Sequence, residues 1–506
     1  MEDNRSRAFL NPFLNHLIIN KIVSYTNRLQ DLKNLRLVST EWNNLILPKL
    51  LKNSIVTFKS WKDIGHYEKD FGLTVAHKNF HWKSTGIDVN DALMTCILHA
   101  AEELHFSKGL ITQDDLLIIL KSGVCLKTLS FNEVFVEKEE DIPDNEDEVK
   151  QKDTKDTRAD FIAQNLTRLE VTSCDQDDNY PWSLVLPTLP NLNTLHAQLQ
   201  SPSQVTAVLD SLLANQIKLG EFSCFLVDMN NEHLQLLSCL EMPLKVLDIS
   251  LASTVATSCV EDFLSSKSCQ MLENLKIFKE ADCGHKNYFS LPKISSIKSL
   301  EILGDPVANI FQTINLSCPN LESLNLSEVS CKDVMSQKIQ HLTLKSLCIE
   351  ECFFPTNVLS KLAENFPNLT KLCLFLNDDN IGTVFQKFEH LEELTILGTE
   401  ISDDGLTGGK EHGGGNDRPY IGDCKRLRVL NLYPQPLHGI TDASIQHGLL
   451  FVPELTSLSA PETAITDKGL RTLLRVKANM VKLSAKVFID VASNEHFLRS
   501  SKYQLL

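Results

Sequence analysis

Leu369-Thr-Lys-Leu-Cys-Leu-Phe375, Leu391-Glu-Glu-Leu-Thr-Ile-Leu397 and Leu427-Arg-Val-Leu-Asn-Leu-Tyr433 are three copies of one pattern, apolar at its first, fourth and sixth places. The same pattern, with Ile or Phe tolerated at the third apolar place, starts at Leu166, Leu244, Leu272, Leu321, Leu344 and Leu455. Looser copies start at Ala101, Leu126, Leu192, Leu219, Ile297 and Met480. Most starts lie 22 to 28 residues apart. Alternation at the end of each copy has the period of a strand with one face buried. A repeat of this length holds one short strand and a helix or turn. It is too small to bury its own apolar face, so copies must stack. The expected fold is α/β: a curved solenoid with one continuous core and a parallel, concave sheet. Such a surface is built for binding, so the question becomes what it binds.

Composition narrows the answer. The chain has 506 residues, of which 42% are hydrophobic and 23% charged, as in a soluble globular protein. Its formal charge of -16 makes it a poor nucleic-acid binder, because neutralising phosphates needs clustered Lys and Arg. Basic or neutral protein partners fit better. The N-terminus, MEDNRSRAFLNP, lacks a basic stretch followed by an apolar run, so no signal peptide is visible. No segment reaches the roughly 20 apolar residues of a membrane span, so no membrane contact is expected. The expected location is cytoplasmic, nuclear or both.

Fourteen cysteines without a C-x-x-C pair read as reduced, buried thiols, with Cys174 and Cys352 placed just after a strand in a core turn. Asn165, Asn315, Asn325 and Asn368 begin Asn-x-Ser/Thr triplets and read as by-products of the repeat. No His-Glu-x-x-His, Gly-x-Ser-x-Gly or Gly-x-Gly-x-x-Gly occurs. Neither catalysis, a metal nor a cofactor is expected.

Three stretches depart from the repeat. Residues 10–50 carry two helical runs, Leu14, Leu17, Ile18, Ile22 and Tyr25, then Leu32, Leu35, Val38, Trp42 and Leu45, with Asp31 as a candidate cap. About 40 residues of short helix form a marginal core, so another surface should cover their apolar face. Residues 51–100 read as a linker or degenerate first repeats, with strand signals near Ile55–Phe58 and Asn79–Trp82. Residues 101–506 hold the repeats and two insertions. One, near 133–160, contains EKEEDIPDNEDEVKQKDTKD and reads as a disordered acidic loop. The other, near 405–420, contains GLTGGKEHGGGNDRP and reads as a mobile loop. No Ser or Thr follows Lys410, so it does not read as a phosphate loop.

The segment LNHLIINKIVSYTNRLQDLKNLRLVSTEWNNL resembles an F-box. Leu14, Ile18, Ile19, Ile22 and Tyr25 match the first half of that motif; Asp31, Leu32, Leu35, Leu37, Val38 and Trp42 match the second. Asn15, Leu17 and Thr26 stand where the family has proline, an acid and leucine. Downstream, Ile401-Ser-Asp-Asp-Gly-Leu406, Ile440-Thr-Asp-Ala-Ser-Ile445 and Ile465-Thr-Asp-Lys-Gly-Leu470 are similar to the cysteine-containing subtype of leucine-rich repeat, which often follows an F-box. The Ser/Thr-Asp pair is a helix-capping signal in its own right.

This resemblance implies a substrate receptor of SCF-type cullin-RING ubiquitin ligases. The F-box would dock on a Skp-type adaptor and through it the cullin, while the repeats hold a target protein. The receptor raises the target's effective concentration at a tethered enzyme and is not itself an enzyme. The alternative is a leucine-rich-repeat interaction scaffold working outside any ligase.

On this reading Leu14, Leu17, Ile18, Ile22, Leu32, Leu35, Val38 and Trp42 contact the adaptor, several of them also holding the small helical unit together. For the target, strand geometry turns the third, fifth and seventh places to the concave face. Phe278, Leu303, Phe375, Leu397 and Tyr433 stand at the seventh place and form the candidate patch. Arg168, Glu170, His196, Asp248, Lys276 and Lys371 are the polar candidates and form no stripe of one sign.

Overall fold

The computed structural model describes residues 51, 54–71, 77–83, 91–137, 161–172, 180–279, 290–304, 310–327, 334–335, 339–409, 418–433, 439–461, 463–477 and 479–484. The expected F-box, residues 10–50, lies outside the described residues, with all eight adaptor candidates from Leu14 to Trp42. The chain divides into two units, residues 1–227 and 228–506.

The first unit carries strands β1 (Ile55–Phe58), β2 (Asn79–Trp82), β3 (Glu103–Thr112), β4 (Thr128–Glu137), β5 (Arg168–Thr172) and β6 (Thr194–Gln198), and most of β7 (Glu221–Met229). Each pairs in parallel with the next. Helices Trp61–Phe71, Ala92–Ala100, Gln113–Ser122 and Pro202–Ala214 connect them. Residues 51–100 therefore already alternate strand and helix, with Phe58 opposite Trp82 and Trp82 opposite Phe106. Strand β4 runs on to Glu137, so residues 133–137 are strand where an acidic loop was expected. The reason is local: Val134, Phe135 and Val136 pair with Gly109, Leu110 and Ile111, and both valines are buried. Residues 138–160 lie outside the described residues.

The second unit carries β8 (Val246–Leu251), β9 (Asn274–Lys279), β10 (Ser299–Gly304), β11 (Ser323–Leu326), β12 (Ser346–Phe353), β13 (Lys371–Asn377), β14 (Glu393–Glu400), β15 (Val429–Tyr433), β16 (Ser457–Ser459) and β17 (Lys482–Ser484). All are parallel, and the fourth-place leucines align from Leu300 through Leu324, Leu347, Leu372, Leu394, Leu430 and Leu458 to Leu483. First, fourth and sixth places are core throughout: Leu391, Leu394 and Ile396 are 1%, 0% and 0% exposed. Burying each such side chain stabilises by about 1.5–3 kcal/mol before ordering costs. The long step from Leu394 to Leu430 keeps this register. The glycine-rich stretch expected near 405–420 begins inside a helix, Asp403–Thr407. Ser402 caps that helix, and Gly408 ends it in the left-handed region, φ 67°. Residues 410–417 lie outside the described residues.

Two side-chain devices tie repeat to repeat. The carboxylates of Asp378, Asp403 and Asp442 each accept from the capping residue of the next repeat. Asp378 takes the Ser402 N–H at 2.9 Å and its hydroxyl at 2.5 Å; Asp442 takes the Thr466 N–H at 2.7 Å and its hydroxyl at 2.6 Å. Asp403 takes the N–H and hydroxyl of Thr441 at 2.9 and 2.6 Å, the Ser444 N–H at 3.0 Å, and the Ser444 hydroxyl. Gly405 and Gly469 make room for this approach, since a Cβ there would lie 2.1 Å from the Asp378 or Asp442 carboxylate. Ser444 fills the equivalent place in the middle copy and donates instead. The second device is an asparagine just before the first leucine. Asn165, Asn191, Asn320 and Asn368 donate their side-chain amides to the carbonyls of Val124, Gln164, Ser295 and Leu342 in the preceding turn, at 2.6–2.8 Å.

Each unit is thus a stack of leucine-rich repeats, a parallel sheet backed by short helices. Among the described residues no helix is long and apolar enough to cross a membrane.

Candidate functional site

The sheet face away from the leucine core is where the chain can meet another molecule. In the second unit its seventh-place residues form two groups. Phe278 on β9 stands opposite Leu303 on β10. Phe375 on β13 stands opposite Leu397 on β14, which stands opposite Tyr433 on β15. Strand β11 ends at Leu326, one place short of this row, and separates the groups. Phe278 and Tyr433 are 42% and 47% exposed; Leu303, Phe375 and Leu397 are half-buried.

The second group has a fourth member that counting along the repeat misses. β12 shifts register between Ile349 and Phe353, which brings Phe353 opposite Phe375. The rings meet edge to face, with centroids 5.5 Å apart, and Phe353 is 53% exposed. In the unbroken repeat the seventh place would be Glu350. The bulge adds a ring to the row, while the Glu350 carboxylate lies 3.9 Å from the Cys348 thiol. Phe353, Phe375, Leu397 and Tyr433 therefore make an apolar row over four adjacent strands. Its one phenylalanine-phenylalanine and two ring-aliphatic neighbour pairs are of the kind that stabilise a sheet face when covered.

Below this row the fifth places hold Cys348, Cys373, Thr395 and Asn431, whose amide donates to the Thr395 hydroxyl at 3.2 Å. The third places add an ion pair, Lys371–Glu393 at 2.9 Å. Further back, Lys276 pairs with Glu301 at 2.9 Å, and the hydrogen bond to that carboxylate raises the lysine's pKa. Cys352, expected in a core turn, instead lies in the bulged end of β12 and is half-exposed. The general expectation of buried thiols holds for Cys224, Cys269, Cys318 and Cys424, but Cys125 and Cys239 are exposed.

The open face of the first unit is different in kind. Arg168 lies 2.7 Å from Glu170 and 3.6 Å from Glu221; His196 lies 3.8 Å from Glu170 and 4.0 Å from Glu221. Burial works to raise the Glu170 pKa, but the Arg168 guanidinium outweighs it and holds the carboxyl below its usual range. Arg168 thus pairs with two carboxylates across these strands, and the groups form no basic surface. Among the described residues no group of three or more His, Cys, Asp or Glu could hold a metal ion.

No protein-family model matches the chain, and no curated protein matches it. Among solved structures, it is similar to a leucine-rich-repeat protein of Leptospira interrogans, with 15% identity over 84% of this chain and 98% of that one and a TM-score of 0.35. A chain of the TLR13–ssRNA13 complex matches with 16% identity over 86% of this chain and 51% of that one, TM-score 0.34. A chain of the yeast Rad7–Elc1 complex matches with 13% identity over 90% of each, TM-score 0.33.

Proposed function

We propose that this chain is the target-recognition subunit of an SCF-type ubiquitin ligase. Residues 10–50 dock on a Skp-type adaptor through Leu14, Leu17, Ile18, Ile22, Leu32, Leu35, Val38 and Trp42. The repeats of the second unit hold the target protein. The observation that carries the target half is the row Phe353–Phe375–Leu397–Tyr433, rings and one leucine left partly in water on a sheet whose opposite face is sealed. An apolar row on adjacent strands is what a partner's side chains can cover in one contact. The chain's formal charge of -16 favours a target segment with apolar anchors and basic flanks. Phe278 and Leu303 offer a second, smaller contact for a longer segment. The adaptor half rests on the F-box resemblance and its position ahead of the repeats.

The second reading, a repeat scaffold acting outside any ligase, is favoured by one observation: Asn15 and Leu17 replace the family's proline and acid. Affinity capture of the full chain, probed for the Skp adaptor, separates the two. The ligase reading expects the adaptor to co-purify, and the pair Leu35→Ala with Trp42→Ala to lose it. It expects Phe375→Asp to keep the adaptor while weakening binding of a basic, apolar target segment at least tenfold. If no adaptor is recovered with the unaltered chain, the scaffold reading replaces it.

A further inference from the structure

The fifth-place thiols beside the apolar row have a geometry of their own. Cys348 on β12 and Cys373 on β13 stand opposite one another in register. Adjacent strands hold such residues about 4.8 Å apart at Cα, inside the range a disulfide spans. Both are half-buried on the open face, within reach of solvent. The two thiols sit side by side across this pairing, and the Cys348 thiol donates to the Glu350 carboxylate, 3.9 Å away. Among the described strand pairings no other register sets cysteine against cysteine.

We propose that Cys348 and Cys373 are a modification site: a paired dithiol that a peroxide oxidises reversibly to an interstrand disulfide. The neighbouring thiols divide the roles: their interaction lowers the Cys373 pKa and raises that of Cys348, so Cys373 is the first nucleophile. Its thiolate sulfur attacks one peroxide oxygen, the O–O bond breaks, and the departing hydroxide takes a proton to leave as water. Cys373 is now a sulfenic acid. Cys348 gives up its proton and attacks the Cys373 sulfur; the S–O bond breaks and a second water leaves. Two thiols and one hydrogen peroxide become one disulfide and two waters, with two electrons passing from sulfur to oxygen.

Parallel strands point the two Cβ atoms the same way, so they must close by about 1 Å to reach the usual disulfide spacing. The irregular stretch of β12 between Ile349 and Phe353 supplies the slack. A bridge made this way is easily reduced, which suits a reversible mark. Three buried thiols are poorly placed to compete. Burial pushes Cys269, Cys318 and Cys424 up to about 12, where the thiolate is scarce.

The test is mass mapping of the full chain after mild hydrogen peroxide, alkylation of the remaining thiols and digestion without reductant. The expected product is a peptide pair joined through Cys348 and Cys373, short by two hydrogens and cleaved by dithiothreitol. In Cys348→Ser the joined pair should vanish, and a dimedone adduct should appear on Cys373. Recovery of both cysteines alkylated in the oxidised, unaltered chain overturns the proposal. So does a bridge that links Cys352 rather than either partner. This readout does not depend on any target protein, so it stands or falls apart from the ligase reading.

Discussion

In the first four strands of the first unit the sixth place is Phe58, Trp82, Phe106 and Phe131, all buried, before it passes to Val171, Ala197 and Cys224. In the second unit the same place is Ile277, Ile302, Leu326, Ile349, Leu374 and Ile396. Rings in the first unit touch from strand to strand: Phe58 and Trp82 have centroids 5.4 Å apart, and Phe106 and Phe131 stack at 5.4 Å with planes 12° apart. Its helix caps at Asp91 and Thr112 are local, each serving its own helix. The second unit has a thinner strand row and reaches across instead, with Asp378, Asp403 and Asp442 each serving the next repeat's cap. The aromatic residues of its strands go outward, to Phe278, Phe353, Phe375 and Tyr433. The first four strands thus use a sixth-place ring for cohesion, whereas the second unit places its strand rings at the surface. Where cohesion does not need the ring, the sheet face is free to become a contact.

The comparison predicts where each unit breaks. Phe106→Ala removes a ring that is 1% exposed between Trp82 and Phe131, and should cost the first unit about 3–5 kcal/mol. Urea unfolding should show an earlier first transition by tryptophan fluorescence, since Trp42, Trp61, Trp82 and Trp182 all belong to the first unit, and circular dichroism should show any transition of the second unit unmoved. A shift in both would mean that the rings are not a local source of cohesion. Asp403→Ala should cost less, about 2 kcal/mol, because water can reach the partly buried groups it leaves behind. Hydrogen exchange should then quicken across residues 440–448 and stay unchanged in the helix Pro202–Ala214. Asp403→Asn, which keeps one of the two accepting oxygens and turns the other into a donor, should recover part of the protection.

The leucine period was enough to set the strands, their parallel order and the core, because three buried places per repeat leave little freedom. It also located the outward seventh place, including Phe375, Leu397 and Tyr433. What it could not give were features set by a departure from the period. Phe353 joins the row only because β12 gains extra residues between Ile349 and the next pairing. Residues 133–137 looked like loop because acidic residues follow them, yet Val134 and Val136 find buried places beside β3. The Ser/Thr-Asp pairs were legible as caps, but not that the aspartate serves the neighbouring repeat, since that partner lies 24 to 41 residues away in the chain. The signal was present: the glycine at 405 and 469 marks where a carboxylate must pass.

The smallest expected effect is a pH dependence confined to the ring-tied unit. His77 is 6% exposed and bonded to the Tyr67 hydroxyl at 3.0 Å, within the cluster of Phe58, Tyr67 and Phe80. Burial lowers its pKa below 6.5, and burial likewise lowers that of His81, helped by Lys83 and His105. Between the folded value and 6.5 the unfolded chain binds a proton that the folded chain refuses. The stability contributed by neutral His77 is therefore full above that window, falls as pH drops through it, and is gone below the folded value. The urea midpoint of the first transition should decline on going from about pH 7.5 to about pH 5.5. In His77→Gln, which keeps a polar group near the Tyr67 hydroxyl but cannot titrate, that decline should be shallower. An equally steep decline would assign the pH sensitivity elsewhere and remove the histidine from the account of what holds these rungs together.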